Sequence, residues 1–293
     1  MNLRDEATQS RETQAAATTA RVVRPTIPDV PLVPHLRAER RLWKQGRLRV
    51  VGVDEVGMGA LCAPVVAAAV LVRPNCHKIP GVRDSKTLSA KQREALVGQI
   101  KKRVVAWGVG AASVAEIERL NIYHAAHLAM RRALRRIDDY EHVLVDGRKI
   151  VGFENHVGPY TAIVDGDASS YSIACASIIA KVTRDRLMSR LAVRYPGYGW
   201  EHNAGYTTQD HVAGLHELGL TVHHRRTYAR IRAMLEGDQL ELALGSLDDE
   251  LVGFETDDEL ALGTGADAED HFWPVPDSST AEPRGSLAFT RSR

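Results

Sequence analysis

The chain has 293 residues, 44% hydrophobic and 26% charged, the proportions of an ordinary globular protein with length enough for one large core or two small ones. No apolar run approaches the roughly 18 residues of a membrane helix, the first 26 residues lack the apolar stretch of a secretory signal, and Cys62, Cys76 and Cys175 are too few and scattered for a disulfide framework or a cysteine-based zinc site. A reducing cytoplasm is therefore expected, and the net charge of +1 conceals an asymmetry: residues 235–293 hold 15 acidic and 3 basic side chains, which leaves 22 acidic and 35 basic in residues 1–234.

Residues 1–30, rich in Thr, Ala and Arg with Pro25 and Pro28, read as a disordered arm, and 31–47 as a lead-in helix. A β-rich run, 49–54, ends in acid and is followed by Gly57-Met58-Gly59; 63–72 is valine-rich and reads as a buried strand. The spacing of Ala95, Leu96 and Ile100 behind Ser89 predicts a serine-capped helix over 89–103, and a third strand follows at 104–111. A helix over 121–137 sets Ile122, Ala125, Ala126, Ala129, Met130, Ala133 and Leu134 on one face, with Arg131, Arg132, Arg135 and Arg136 on the other. Strands are expected at 140–145, closing on Asp146-Gly147, and at 160–164. A long helix runs from Asp167 to about 194, capped by Asp167 or Ser169, and short helices follow at 208–218 and 227–235. Beyond Leu235 the acidic, Gly-, Ser- and Pro-containing segment reads as a mostly disordered tail. Strands first, then strands mixed with helices, predict an α/β or α+β domain with one mixed sheet. No internal repeat is visible.

Carboxylates recur at the ends of these elements. Asp54 and Glu55 follow the first strand, Asp146 closes the fourth, and Asp167 heads the long helix. Taken singly, Asp54 and Asp146 are turn formers and Asp167 a helix cap. If the strands are neighbours, however, the acids converge at one end of the sheet, where they raise one another's pKa unless a cation neutralises them. Hard oxygen donors suit magnesium or manganese, and two such ions about 4 Å apart suit in-line phosphodiester hydrolysis. The net +13 of residues 1–234 fits a polyanionic partner, or else a merely solvated surface; charge alone does not choose.

Other patterns carry less. Gly57-Met58-Gly59 is not a dinucleotide fingerprint, because Cys62 stands where the third glycine belongs and a strand follows. His124 and His127 lack a third ligand and read as helix surface. The run from His223 to Arg226 is either a nucleic-acid contact or a solvated charge run. No G-x-S-x-G elbow supports a serine nucleophile.

In order along the chain, several blocks resemble ribonuclease HII. Gly52-Val53-Asp54-Glu55-Val56-Gly57-Met58-Gly59 with Ala63-Pro64-Val65 looks like its opening, Asp84-Ser85-Lys86-Thr87-Leu88-Ser89 like its DSK segment, and Asn121-Ile122 with Ala129-Met130-Arg131-Arg132-Ala133 like its third block. Gly166-Asp167-Ala168 with 173–185, Tyr195-Pro196-Gly197, Gly205-Tyr206-Thr207 and His224-Arg225-Arg226-Thr227-Tyr228 complete the series, over about 48–232. The resemblance implies a ribonuclease H-like mixed sheet flanked by helices, with a small helical C-terminal part. It makes Asp54, Glu55, Asp146 and Asp167 the metal-binding catalytic acids for Mn2+ or Mg2+. Gly57, Met58 and Gly59 take the place of a GRG loop that reads the 2′-hydroxyl, and Tyr206 packs on the neighbouring deoxyribose. Lys86, Lys181 and Arg184 become phosphate contacts or site supports. Three positions depart from the pattern: Met58 replaces an arginine, and Asp165 and Ala204 stand where lysine is usual, which bears on substrate affinity and junction preference.

The expectation is thus an arm or lead-in at 1–44, a catalytic domain at 45–235 and an acidic tail at 236–293. The protein is expected to be a monomeric cytoplasmic endonuclease, without membrane contact. It would hydrolyse the RNA strand of RNA–DNA hybrids, and ribonucleotides embedded in duplex DNA, to 3′-hydroxyl and 5′-phosphate ends. The alternative is a non-catalytic or weakly active hybrid-binding protein on the same fold, for which the lost basic residues speak. Retention of all four acids speaks against it.

Overall fold

The structure, a computed structural model, describes residues 33–245; the expected arm over 1–30 and most of the expected tail lie outside them. The chain order is α1 (Arg37–Lys44), β1 (Val50–Val56), β2 (Val65–Val72), a 3-10 turn (Ser85–Thr87), α2 (Ala90–Arg103), β3 (Ala106–Ala112) and α3 (Val114–Leu134). Then come β4 (His142–Asp146), α4 (Glu154–Val157), β5 (Tyr160–Ile163), α5 (Gly166–Ser169), α6 (Tyr171–Arg194), α7 (Trp200–Asn203), α8 (Gln209–Leu218) and α9 (Ala229–Gly245).

The five strands form one sheet in the order β3-β2-β1-β4-β5. β1–β2 and β2–β3 pair antiparallel, whereas β4 runs parallel to both β1 and β5, so the sheet is mixed, as expected. β2, VVAAAVLV, is buried throughout, which is why it reads as a continuous apolar run rather than an alternating one. Its Ala68, Val70 and Val72 enter a core shared with α1, α2 and α6, while Val65, Ala67, Ala69 and Leu71 enter a second core under α3 and α4. A third cluster, built on Leu61, Met188, Tyr198, Trp200 and Leu215, holds the C-terminal helical part.

Alanine and glycine let the helices sit close to this sheet. α6 is buried at every residue from 171 to 180, and a Cβ on Gly52 of β1 would lie 2.3 Å from the Ser172 carbonyl carbon. The expected serine cap holds for α2, where Ser89 and Gln92 form a reciprocal capping box; α8 is also capped, the Thr208 side chain accepting from the His211 N–H.

Three helices differ from expectation; one is α9, which runs to Gly245, ten residues into the segment expected to be a disordered tail. α3 starts at Val114, capped by a second box of Ser113 and Glu116, and is bent at Asn121, where φ is 62°. The Asn121 side-chain oxygen accepts from the N–H groups of Tyr123 and His124, so this asparagine caps the second half, which is the part the apolar spacing reveals. The expected long helix from Asp167 is interrupted at Ser170, leaving Asp167 inside the short α5 rather than at a cap. Ser170 offers α6 no side-chain cap of its own. Instead Glu39, fully buried on α1, accepts from the Ser172 N–H and from the Ser170 and Ser172 hydroxyls, each at 2.8 Å. Hydrogen bonds to a charged group contribute about 1.5–3 kcal/mol apiece, and a carboxylate suits a helix N-terminus. Leu36, Leu42 and Trp43 bury the rest of this contact.

Candidate active site

Asp54 and Glu55 lie within β1 rather than beyond it. The parallel ladder to β4 stops at Val53↔Val145, but antiparallel pairing with β2 continues to Val56↔Val66. The alternation of a strand sets Asp54 on the face of Gly52, towards α6, and Glu55 on the other. Asp146 ends β4 and accepts from the Gly166 N–H at 2.7 Å, which pins the start of α5, and with it Asp167, beside the strand. One carboxylate oxygen from each of Asp54, Asp146 and Asp167 lies within 4.8 Å of the others. Asp54 and Asp167 are buried, and Asp146 partly so.

Burial, reinforced by the charges of Glu55 and Asp146, holds the Asp54 carboxyl well above the usual carboxylate range. Glu55 is pushed up to about 7 by burial and then by Asp146, and Asp146 is raised by burial and by Asp167. Acids so placed resist ionising together unless a cation joins them, and three convergent hard oxygens fit a divalent ion of the magnesium or manganese type. Lys86 supplies one positive charge: its Nζ donates to Asp167 at 3.1 Å while the side chain stays 77% exposed. The 3-10 turn carrying it is tied to α6 by a 2.9 Å contact between the Ser85 and Ser177 hydroxyls. Burial lowers the Lys86 pKa, but the hydrogen bond and charge of Asp167 outweigh that and leave it raised.

The loop Gly57-Met58-Gly59 leaves β1 beside these acids. Gly57 has φ of 94°, and a Cβ there would fall 2.2 Å from Nε of Arg184, so glycine is required on both counts. Met58 is half-buried against the α3 core and Gly59 is exposed. Arg184 is fully buried and donates to the carbonyls of Pro64, Ala204 and Cys62. Its guanidinium is thus engaged by three backbone carbonyls. Its guanidinium also lies 5.5 Å from the centre of the half-buried Tyr206 ring, and the Lys181 ammonium 5.9 Å from it; Lys181 itself pairs with Asp185 at 2.6 Å. Asp165 and Ala204, at the two lysine-pattern positions, both take left-handed backbone conformations.

The run from His223 to Arg226 is not uniformly solvated: His224 and Arg225 are buried, His223 is half-buried and Arg226 is exposed. Arg225 donates to the carbonyls of Met58 and Ala63. Cys62, His211 and His224 also bring ligand atoms within 4.8 Å of one another, but their lone pairs are spoken for. His224 Nδ1 accepts from the Thr221 N–H, so the proton is on Nε2, which faces His211 Nε2 at 3.2 Å. His211 Nε2 also receives the Trp200 indole N–H, and His211 Nδ1 donates to the Tyr206 carbonyl. Burial pushes the Cys62 thiol up to about 12. His124 and His127 join no metal group among the described residues; His127 packs edge-on to Tyr123 with ring centres 4.1 Å apart. Nothing in the sequence separated the buried Arg184 and Arg225 from their solvated neighbours.

A family profile described as Ribonuclease HII matches residues 51–232. The chain is 54% identical over 194 residues to the Ribonuclease HII of Thermosynechococcus vestitus, covering 66% of this chain and 89% of that one. Among solved structures it is similar to the ribonuclease H2 from Pyrococcus horikoshii OT3, with a TM-score of 0.55, 25% identity, and coverage of 66% and 99%. It also shares the fold of Bst-RNase HIII in complex with Mn2+, at a TM-score of 0.53 and 20% identity, covering 66% of this chain and 71% of that one.

Proposed function

Because the chain belongs to the ribonuclease HII family, and so is a ribonuclease H acting on the RNA strand of RNA–DNA hybrids, we propose that Asp54, Glu55, Asp146 and Asp167 are its catalytic, metal-holding acids. The observation that carries this reading is the meeting of three carboxylate oxygens, from β1, β4 and α5, within 4.8 Å, on groups whose crowding calls for a cation. Mg2+ or Mn2+ bound there would activate a water and balance the charge of the departing 3′ oxygen, giving 3′-hydroxyl and 5′-phosphate ends. Asp146 holds α5 in place through Gly166, so one carboxylate both binds the ion and positions its neighbour. Lys86, anchored on Asp167 and exposed, reaches the substrate phosphate. Gly57, Met58 and Gly59 approach the ribose through backbone groups and read its 2′-hydroxyl, the feature that separates RNA from DNA. Tyr206 packs on the adjoining deoxyribose, with Lys181 beside it and Arg184 beneath.

The proposed substrates include single ribonucleotides embedded in duplex DNA as well as longer hybrids. The proposed catalytic domain is 45–235, with α1 docked against it, working as a monomer in the cytoplasm. Among the described residues no helix is long and apolar enough to cross a membrane. The test is cleavage of an end-labelled duplex bearing one ribonucleotide, with Mg2+ or Mn2+ and with a chelated control. Asp54→Asn and Asp146→Asn should each lose about three or more orders of magnitude in rate, since charge and metal effects dominate such chemistry, with thermal melts showing an intact fold. Near-normal turnover in either variant would remove the acids from the reaction.

A further inference from the structure

The Gly57-Met58-Gly59 loop is held from beneath by a buried cation. Arg225 is 0% exposed, and among the described residues no carboxylate forms a salt bridge with it. Its charge is met by oxygen dipoles. Nη1 donates to the Met58 carbonyl at 3.0 Å and to the Tyr228 hydroxyl at 2.8 Å, while Nε and Nη2 both donate to the Ala63 carbonyl. The Tyr228 hydroxyl in turn donates a hydrogen bond to the Met58 carbonyl. Two donors, one of them charged, therefore converge on a single peptide oxygen.

That peptide links Met58 to Gly59. No peptide bond here is cis, so the Gly59 N–H points opposite to the Met58 carbonyl, away from the buried guanidinium. Gly59 is exposed, a Cβ on it would meet nothing within 4 Å, and its N–H donates to no backbone or side-chain acceptor among the described residues. Of the four other carbonyls held by the two buried arginines, that of Pro64 leads into Val65 at the start of β2, and the remaining three have no free N–H on their peptide. The Cys62 carbonyl shares its peptide with the Ala63 N–H, which is spent on His223, and the Ala204 carbonyl with the Gly205 N–H, spent on Asn203. The peptide after Ala63 leads into Pro64 and has no N–H. A donor pulling on a carbonyl polarises the whole amide and strengthens its N–H as a donor.

We propose that Arg225 and Tyr228 are positioning residues that aim and polarise the Met58–Gly59 peptide, so that the Gly59 N–H donates to the 2′-hydroxyl oxygen of the substrate ribonucleotide. This rests on the reading of the loop given above and supplies its mechanism. The charge that serves recognition stands under the loop and reaches the sugar through a peptide bond, independently of the side chain at position 58.

The experiment compares affinities for a duplex with one ribonucleotide and for the same duplex in all-DNA form, with Ca2+ replacing the catalytic metal. Wild type, Tyr228→Phe and Arg225→Lys are measured, with a thermal melt of each. Tyr228→Phe removes one hydroxyl without stranding a charge, and it should reduce the ribonucleotide-to-DNA affinity ratio by about 3- to 10-fold, the span of one hydrogen bond. Arg225→Lys, which cannot serve both carbonyls in the same fork geometry, should reduce it further. A purely structural role would lower the melting temperature and leave the ratio alone. An unchanged ratio in Tyr228→Phe, or an equal fall in both affinities, overturns the proposal. A wild type that does not favour the ribonucleotide duplex would instead overturn the reading of the loop, and the proposal with it.

Discussion

His224 should make the protein acid-labile in a way one substitution can isolate. Its ring packs against the stacked pair of Tyr198 and Trp200, 1% exposed, with burial as the main cause that holds its pKa at about 4 against an ordinary 6.5. The folded value is the lower one, so the unfolded chain takes the proton first. Stability from this group is complete above pH 6.5 and drains away as the pH falls towards 4. The gap amounts to about 3 kcal/mol in full, of which about 2 kcal/mol is lost between pH 7.5 and pH 5. Geometry gives the same sign: a proton on Nδ1 would confront the Thr221 N–H, which already donates there at 2.9 Å. The assay is urea unfolding of wild type and His224→Gln at both pH values. Glutamine binds no proton, so its stability should fall by about 2 kcal/mol less than wild type over that interval, or about 4–8 °C in melting temperature for a domain of this size. His127, also lowered by burial, remains in both proteins and cancels in the comparison. Equal losses in the two proteins would refute the reasoning.

Three other outcomes are expected. Met58→Arg should tighten binding of a ribonucleotide-bearing duplex by about 1 kcal/mol and steepen its salt dependence by close to one phosphate contact; if wild type ignores that substrate and the arginine restores cleavage, backbone recognition is insufficient. Gly52→Ala should cost about 3 kcal/mol in chemical denaturation, because its Cβ would meet the backbone of Ser172 and Ile173 at 2.3–2.4 Å; a loss below about 1 kcal/mol would contradict the close seating of α6 on β1. Removing residues 246–293, which belong to the acidic stretch, should tighten hybrid binding most at low salt; equal affinities across a salt series would make that segment a bystander.

The sheet was legible because its strands are apolar runs punctuated by glycine and by acids, and the acids stood out because nothing else explained their recurrence at element ends. What escaped the sequence is instructive physically. Asp54 and Glu55 look like loop residues because a strand usually stops at its acids, yet β2 keeps pairing with β1 after β4 has ended. The first half of α3 was missed although Ser113 and Glu116 spell a capping box, because its apolar positions are sparse there. The break at Ser170 has no local signal, since its cap arrives from Glu39, far away in the chain. Arg184 and Arg225 escaped for the same reason. A guanidinium in a basic run looks solvated until carbonyls from another segment enclose it.

The Glu39 contact has a practical consequence for anyone trimming the gene. The family profile spans residues 51–232, so a minimal enzyme cut to the profile would begin just before β1. Such a product would discard the carboxylate that closes the start of α6, leaving the Ser172 N–H and two serine hydroxyls facing a vacated, formerly sealed seam. Those serines sit three and five residues beyond Asp167, so the looseness would begin where the carboxylates are gathered. The stretch that a family profile marks and the stretch that keeps the molecule's parts in place are two different lengths of chain.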